Sequence, residues 1–257
     1  MGRRLLVVLA HPDDETFICG AAIAAFAAAG GSVRLLCATR GEHGRRLGKP
    51  PFATRERLPE VREAETRAAC AALGVADVAF LGLRDKCLEF EDADALAAAV
   101  AVHIRRWRPE GVVTFHEARG GHTDHCAIGR AATLAWQRSP EPDWHPEQWD
   151  GLAAGAAPGP RLYWIAGREL SEHPERFGST SAAVTTVSGS QVSRRVMEAH
   201  RAHRTQTELD AGLWGEDAPV LERFARRREI YQQAAPPFAA GERGLLGTQT
   251  DGSGDTA

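Results

Sequence analysis

Leu5-Leu6-Val7-Val8-Leu9-Ala10-His11-Pro12-Asp13-Asp14-Glu15 is the stretch on which the reading of this chain turns. Residues 5–10 form a continuous apolar run, as expected of a strand buried on both faces. The run stops in a histidine, a proline and carboxylates, not in a small-residue cleavage site, so it reads as a first core strand and not as a signal peptide. From there strand and helix patterns alternate. Residues 15–29 are alanine-rich and helical, with Gly30-Gly31 as a C-terminal stop. Residues 33–39 form a second buried strand, and residues 40–54 a loop rich in glycine, proline and charge. Residues 58–73 form an amphipathic helix stopped by Gly74, and residues 78–83 a third strand. Residues 93–107 are helical up to the residues before Pro109, residues 111–115 are a fourth strand, and a helix covers about residues 124–136.

Strand, helix, strand, helix with short links predicts an α/β chain: a Rossmann-like three-layer α/β/α fold with a mostly parallel sheet. In such sheets the ligand site lies beyond the carboxyl ends of the strands. Later strands are expected at residues 162–166 and 183–187, and a helix at residues 193–209. Residues 1–240 read as one domain. Within it, residues 139–160 hold several Pro, Gly and Trp residues without periodicity, which makes them a lid or an unpacked loop. Residues 241–257 are poor in apolar side chains and read as a disordered tail.

The chain of 257 residues is 43% hydrophobic and 25% charged with a net charge of -3, ordinary values for a globular protein. Its arginines are scattered among glutamates and form no nucleic-acid footprint. No apolar run is long enough to span a bilayer, so no membrane partner is expected and a cytoplasmic location is. The five cysteines form no Cys-x-x-Cys pair and read as reduced thiols, Cys126 included.

Two motifs carry the chemistry. In the first, His11 and Asp14 flank a turn into a helix and can point at one spot, a good donor set for a divalent metal. Asp13 is left free to act as a base. A helix start alone accounts for the carboxylates, since Asp caps helices and suits a first turn, but it does not call for the histidine. The second motif, Gly120-Gly121-His122-Thr123-Asp124-His125, follows the fourth strand and opens on the same sheet edge. Together they offer His11, Asp14 and His125 as metal ligands with open positions, the mark of a catalytic centre. Asp13 would take a proton from water, a protonated His122 would support an oxyanion, and Asp124 would orient a histidine. Whether Asp13 or His122 protonates the leaving nitrogen stays open.

With these residues in hand, the chain resembles the LmbE-like, PIG-L-type zinc N-acetylglucosamine deacetylases. The resemblance runs through Thr39-Arg40-Gly41-Glu42, Arg62-x-x-Glu65-x-x-x-Ala69, Phe80-Leu81-Gly82-Leu83-Arg84-Asp85 and His203-Arg204-Thr205-Gln206. Within the family the likeness is strongest to the bacillithiol-biosynthesis deacetylases, on residues 50–56, on Leu83-Arg84-Asp85-Lys86 with residues 89–92, and on residues 203–208. The resemblance implies Zn2+ as cofactor, with Fe2+ also suited to the donors, and a small N-acetylated sugar, N-acetylglucosaminyl malate, as substrate. It implies metal ligation by His11, Asp14 and His125, base and acid roles for Asp13 and His122, and homo-oligomers. Arg62, Glu42 and Arg168 would be substrate contacts, Arg62 through a bidentate guanidinium, although a surface arginine paired with Glu65 reads nearly as well. Thr123 stands where the family usually has proline, and residues 139–160 and the tail are longer than the family pattern.

Three other readings compete. One is a related amidase on a thiol conjugate or an antibiotic sugar. Another is a nucleotide-binding module, weakened because the first strand runs into His-Pro-Asp-Asp-Glu and not Gly-x-Gly-x-x-Gly. The third is a non-catalytic metal-binding scaffold. His43, His103, His116, His145, His173 and His200 belong to no constellation, and Trp136, Trp144, Trp149 and Trp164 read as core or loop anchors.

Overall fold

The computed structural model describes residues 3–150, 152, 159–177, 184–235 and 245–247. Seven strands form one sheet: β1 (Arg4–Leu9), β2 (Ser32–Thr39), β3 (Asp77–Leu83), β4 (Gly111–Phe115), β5 (Arg161–Ala166), β6 (Val184–Ser188) and β7 (Arg228–Ala235). Their order is β3-β2-β1-β4-β5-β7-β6. The first five pair in parallel, while β7 runs antiparallel to both β5 and β6. Helices α1 (Asp14–Phe17), α2 (Gly20–Ala28), α3 (Leu58–Leu73), α4 (Ala93–Trp107), α5 (Thr123–Arg138), α6 (Arg168–Glu172), α7 (Ser193–Ala202), α8 (Arg204–Thr207) and α9 (Asp217–Ala225) complete it. They cover both sides of the sheet, giving the three-layer α/β/α fold. Every residue from Leu5 to Ala10 is 0% exposed, so the apolar run with which β1 opens is the centre of the core.

The structure departs from the sequence pattern in four places. The helix expected over residues 15–29 is two helices, because the Glu229 carboxylate accepts the Ala21 and Ala22 N–H groups at 2.8 Å each and starts α2 afresh. The helix expected over residues 193–209 breaks at His203, which ends α7 and opens α8. Strand β7 and helix α9 were not anticipated. Finally, residues 139–150 of the expected loop are packed against α4. Arg105 of α4 donates to the carbonyls of Ser139, Glu141 and Trp144 at 3.1, 3.1 and 2.7 Å, and buried Trp144 donates to Asp94 at 2.9 Å. The loop leaves the end of α5 opposite to His122, a helix roughly 24 Å long at 1.5 Å per residue, and packs along α4. The remainder expected in that loop, 151 and 153–158, lies outside the described residues. So does the expected tail apart from residues 245–247. There Leu245 and Leu246 are buried, and the Leu246 N–H donates to the Tyr163 hydroxyl at 3.1 Å.

Candidate active site

Strands β1 and β4 lie side by side and parallel at the centre of the sheet. The strands continue outward from this pair in opposite directions, which leaves a crevice beyond their carboxyl ends. Both motifs open into that crevice. His11 follows β1, and His122 caps α5, with His125 in its first turn.

His11 Nδ1 lies 3.3 Å from His125 Nε2 and 3.6 Å from Asp14 Oδ2. His125 Nε2 lies 3.3 Å from Asp14 Oδ1. Two nitrogens on a tetrahedral ion, each about 2.0–2.1 Å from it, stand about 3.3 Å apart, so the spacing of the donors suits zinc. The outer nitrogens are also committed. His125 Nδ1 donates to the Gly120 carbonyl at 2.9 Å, and its ring stacks on Phe115 with centroids 3.8 Å apart. His11 Nε2 lies 3.0 Å from Asp124 Oδ2 and 3.3 Å from Asp85 Oδ1. Such outer hydrogen bonds fix the tautomer that leaves the inner lone pair for a metal. Burial works against charge on His11, but hydrogen bonds to Asp14 and Asp85 outweigh it and hold the ring up at about 11. Asp14 would be raised by burial, yet hydrogen bonds from His11 and His125 pull it well below the usual carboxylate range. The cluster thus calls for positive charge. His11, His122 and Asp124 also lie within ligand reach of one another. Asp124, however, already accepts the Lys86 and Leu88 N–H groups at 2.7 and 3.1 Å and is fully buried, which suits it to hold His11 and not an ion.

Asp13 caps α1 in a left-handed conformation, φ 96. Its carbonyl accepts the Thr16 and Phe17 N–H groups at 3.0 and 2.8 Å, and its own N–H donates to Glu15 Oε2 at 3.0 Å. Arg62 Nη2 donates to its carboxylate at 2.7 Å. Burial pushes the carboxyl up, Arg62 pulls it back and Asp14 adds to the rise, leaving it at about 7. A half-buried carboxylate poised there, beside a candidate metal centre, has the properties of a general base.

Residues 6–136 match the PIG-L family, described as GlcNAc-PI de-N-acetylase. The chain belongs to the PIG-L family. It is 42% identical over 141 residues to a probable N-acetyl-alpha-D-glucosaminyl L-malate deacetylase 2 of Bacillus cereus, a match spanning 55% of this chain and 64% of that protein's length. To the Bacillus subtilis protein of the same description it is 36% identical, over 81% of this chain and 85% of the relative. To a 1D-myo-inositol 2-acetamido-2-deoxy-alpha-D-glucopyranoside deacetylase 1 of Catenulispora acidiphila it is 32% identical, over 95% and 87%. Its fold is that of an N,N'-diacetylchitobiose deacetylase from Pyrococcus horikoshii, with TM-score 0.69, 20% identity, and 90% and 83% of the two chains covered. It is also that of the 4-carboxy-2-hydroxymuconate hydratase of Pseudomonas putida KT2440, with TM-score 0.63, 19% identity, and 93% and 99% covered. Different reactions on one fold leave the argument for activity with the site.

In this PIG-L protein the structure gathers His11, Asp13, Asp14, His122, Asp124 and His125 at one crevice. Two roles differ from the sequence reading. His122 Nδ1 accepts the Asp124 N–H at 3.1 Å, so the ring is neutral with its proton on Nε2, not the protonated form expected. Burial lowers its pKa further, as do the charges of His11 and His125. Arg62 is 3% exposed, and its guanidinium serves Asp13 and the carbonyls of Pro12 and Gly41, not open solvent. Gly41, at φ 66, leaves room for it: a Cβ there would meet Arg62 Nη1 at 2.1 Å. Glu42 accepts the Asp85 N–H at 2.9 Å, one step from His11. Arg168 opens α6 just beyond the carboxyl end of β5, with its side chain 85% exposed and 4.0 Å from Glu172. Asp85, Gly120, Glu15 and His203 join these residues in the structure without being singled out by the sequence pattern. Asp85 and His203 sit in segments that carry the family resemblance, and Glu15 is in the first motif itself, so their positions were visible although their contacts were not.

Proposed function

We propose that this protein is a zinc-dependent N-deacetylase that hydrolyses the acetamide of an N-acetylglucosaminyl conjugate. The observation that carries the reading is the close grouping of His11, Asp14 and His125 beside Asp13. A divalent ion held by those three residues would supply Lewis acidity, acidifying water and polarising the acetamide carbonyl; the donor set also suits iron(II). Asp13 Oδ, held by Arg62, accepts the proton of the attacking water. His122 Nε2–H points a hydrogen bond at the oxygen on which charge develops. Asp124 and Asp85 hold His11 in place through Nε2 and touch no substrate. The proton that Asp13 takes up is then available to the leaving amine.

The named relatives act on glucosaminyl conjugates with either L-malate or inositol as aglycone, and we take the L-malate conjugate as the substrate. Glu42 and the exposed Arg168 are the proposed contacts to the sugar and to the acidic aglycone. The test is acetate release by zinc-loaded protein from the L-malate conjugate, the inositol conjugate and free N-acetylglucosamine, with Asp13→Asn as control. Zinc-dependent release from the L-malate conjugate that disappears in the control is the expected result. Preference for the inositol conjugate would keep the reaction and change the substrate. No release from any acetamido sugar by fully zinc-loaded protein would overturn the reading.

A further inference from the structure

Glu15 and His203 have no part in the chemistry above, yet both are fully buried directly behind it. His203 Nε2 lies 2.6 Å from Glu15 Oε1, which also accepts the Thr16 hydroxyl at 2.6 Å. The other oxygen, Oε2, accepts the Asp13 N–H at 3.0 Å. One carboxylate therefore links the imidazole to the backbone of the proposed base. His203 Nδ1 has no hydrogen-bond partner among the described residues, so Glu15 is the ring's polar anchor.

Asp13 needs such an anchor. A side chain in the left-handed region costs about 1–2 kcal/mol, and the turn persists only if its surroundings over-determine it. Glu15 holds its N–H and Arg62 its carboxylate. Both handles are backed by the segment that starts at His203. Thr205 donates from its N–H and hydroxyl to Glu65 of α3 at 2.7 and 2.6 Å, about one turn beyond Arg62 on the same helix. Gln206 accepts the Arg45 N–H at 3.1 Å and donates to the Arg45 carbonyl at 2.9 Å, securing the loop that carries Gly41 and Glu42.

We propose that Glu15 and His203 are positioning residues for Asp13: the His203–Glu15 hydrogen bond fixes the carboxylate that keeps Asp13 in its left-handed turn, with its side chain facing the metal centre. The functional part of this rests on the deacetylase reading; the conformational part does not.

The experiment compares His203→Ala, His203→Gln and Glu15→Ala in zinc-loaded protein, reading kcat, KM and zinc stoichiometry, together with a crystal structure of each variant. His203→Ala and Glu15→Ala are expected to lower kcat by about 10–100-fold, with KM and zinc content unchanged and Asp13 out of the left-handed region. His203→Gln, which can still donate to Glu15, is expected to recover most of the rate. Wild-type kcat in folded His203→Ala and Glu15→Ala would overturn the proposal, as would a loss of kcat explained wholly by loss of zinc. If the wild-type protein deacetylates nothing, the crystal structures still decide. Asp13 relaxed in the alanine variants supports the positioning role, and Asp13 unchanged at positive φ overturns it.

Discussion

Asp13 is the residue at which the strain of this site can be measured apart from its chemistry. Its φ of 96 suits glycine, and among the described residues its carboxylate is the only ionic partner of Arg62. Asp13→Ala and Asp13→Gly both remove the carboxylate and with it the ionic partner of Arg62, so the difference between them isolates the backbone. Asp13→Gly is expected to be the more stable by about 1 kcal/mol in urea unfolding, and equal stability would mean the turn carries no strain. The same residue marks how far a sequence can be read. His11, Asp14, His122 and His125 stand out because two short motifs hold several chemically capable side chains in few residues. Arg62 does not, because whether a helix arginine meets substrate or an aspartate of another element depends on the tertiary position of α3. The Glu15–His203 pair is harder still, since its two members are 188 residues apart and are joined only by folding.

At the scale of elements, the start of α5 depends on one small residue. A Cβ on Gly120 would sit 2.7 Å from His125 Cβ and 3.1 Å from the Cys126 nitrogen. Gly120→Ala must therefore shift the carbonyl that anchors His125. Its zinc affinity is expected to fall by about 10-fold or more, as read by competition with a chelating dye; unchanged affinity would show that the Gly120 carbonyl does not set the ligand. The other end of α5 has a structural duty only. Arg105→Ala deprives at least three carbonyls of a charged donor at a residue 5% exposed. It is expected to cost about 2–3 kcal/mol of stability while leaving kcat for acetate release unchanged, because the carbonyls it holds follow the end of α5 opposite to His122. A matching fall in kcat would show that the loop acts on the site after all. The elements that escape the sequence share a cause. The α1–α2 break is made by Glu229, about 200 residues away. Strand β7 buries Glu229, Gln232 and Gln233 among its residues, so its burial leaves no apolar pattern to read.

Over the whole molecule, the parallel half of the sheet, with the switch between β1 and β4, is legible because each of those strands is mostly apolar and each is followed by a helix. The junction of α1, α7 and α9 is held differently, by polar and aromatic contacts, and His200 lies among them. Its ring lies tilted between those of Phe17 and Phe224, with centroids 4.9 and 4.5 Å away. Its Nδ1 donates to the Val196 carbonyl at 2.8 Å, and its Nε2 accepts from Arg227 at 3.2 Å, so the folded ring is neutral. Burial pushes its pKa down to about 3; the hydrogen bond to Val196 opposes this, while the charges of Arg227, His203 and Arg223 add to it. The unfolded chain binds the proton near 6.5 and the folded chain does not until far lower pH. The contribution of His200 is therefore complete above about pH 7 and is lost as pH falls from about 6.5 toward about 3. Between pH 7.5 and 5 this one group costs about 2 kcal/mol. Denaturant unfolding of metal-free protein, compared with His200→Gln at the same pH values, removes the titrations common to both. Wild type is expected to lose about 2 kcal/mol more than the variant over that interval. Parallel losses would mean that the ring can take up a proton in place, and that the junction of α1, α7 and α9 opens without unfolding.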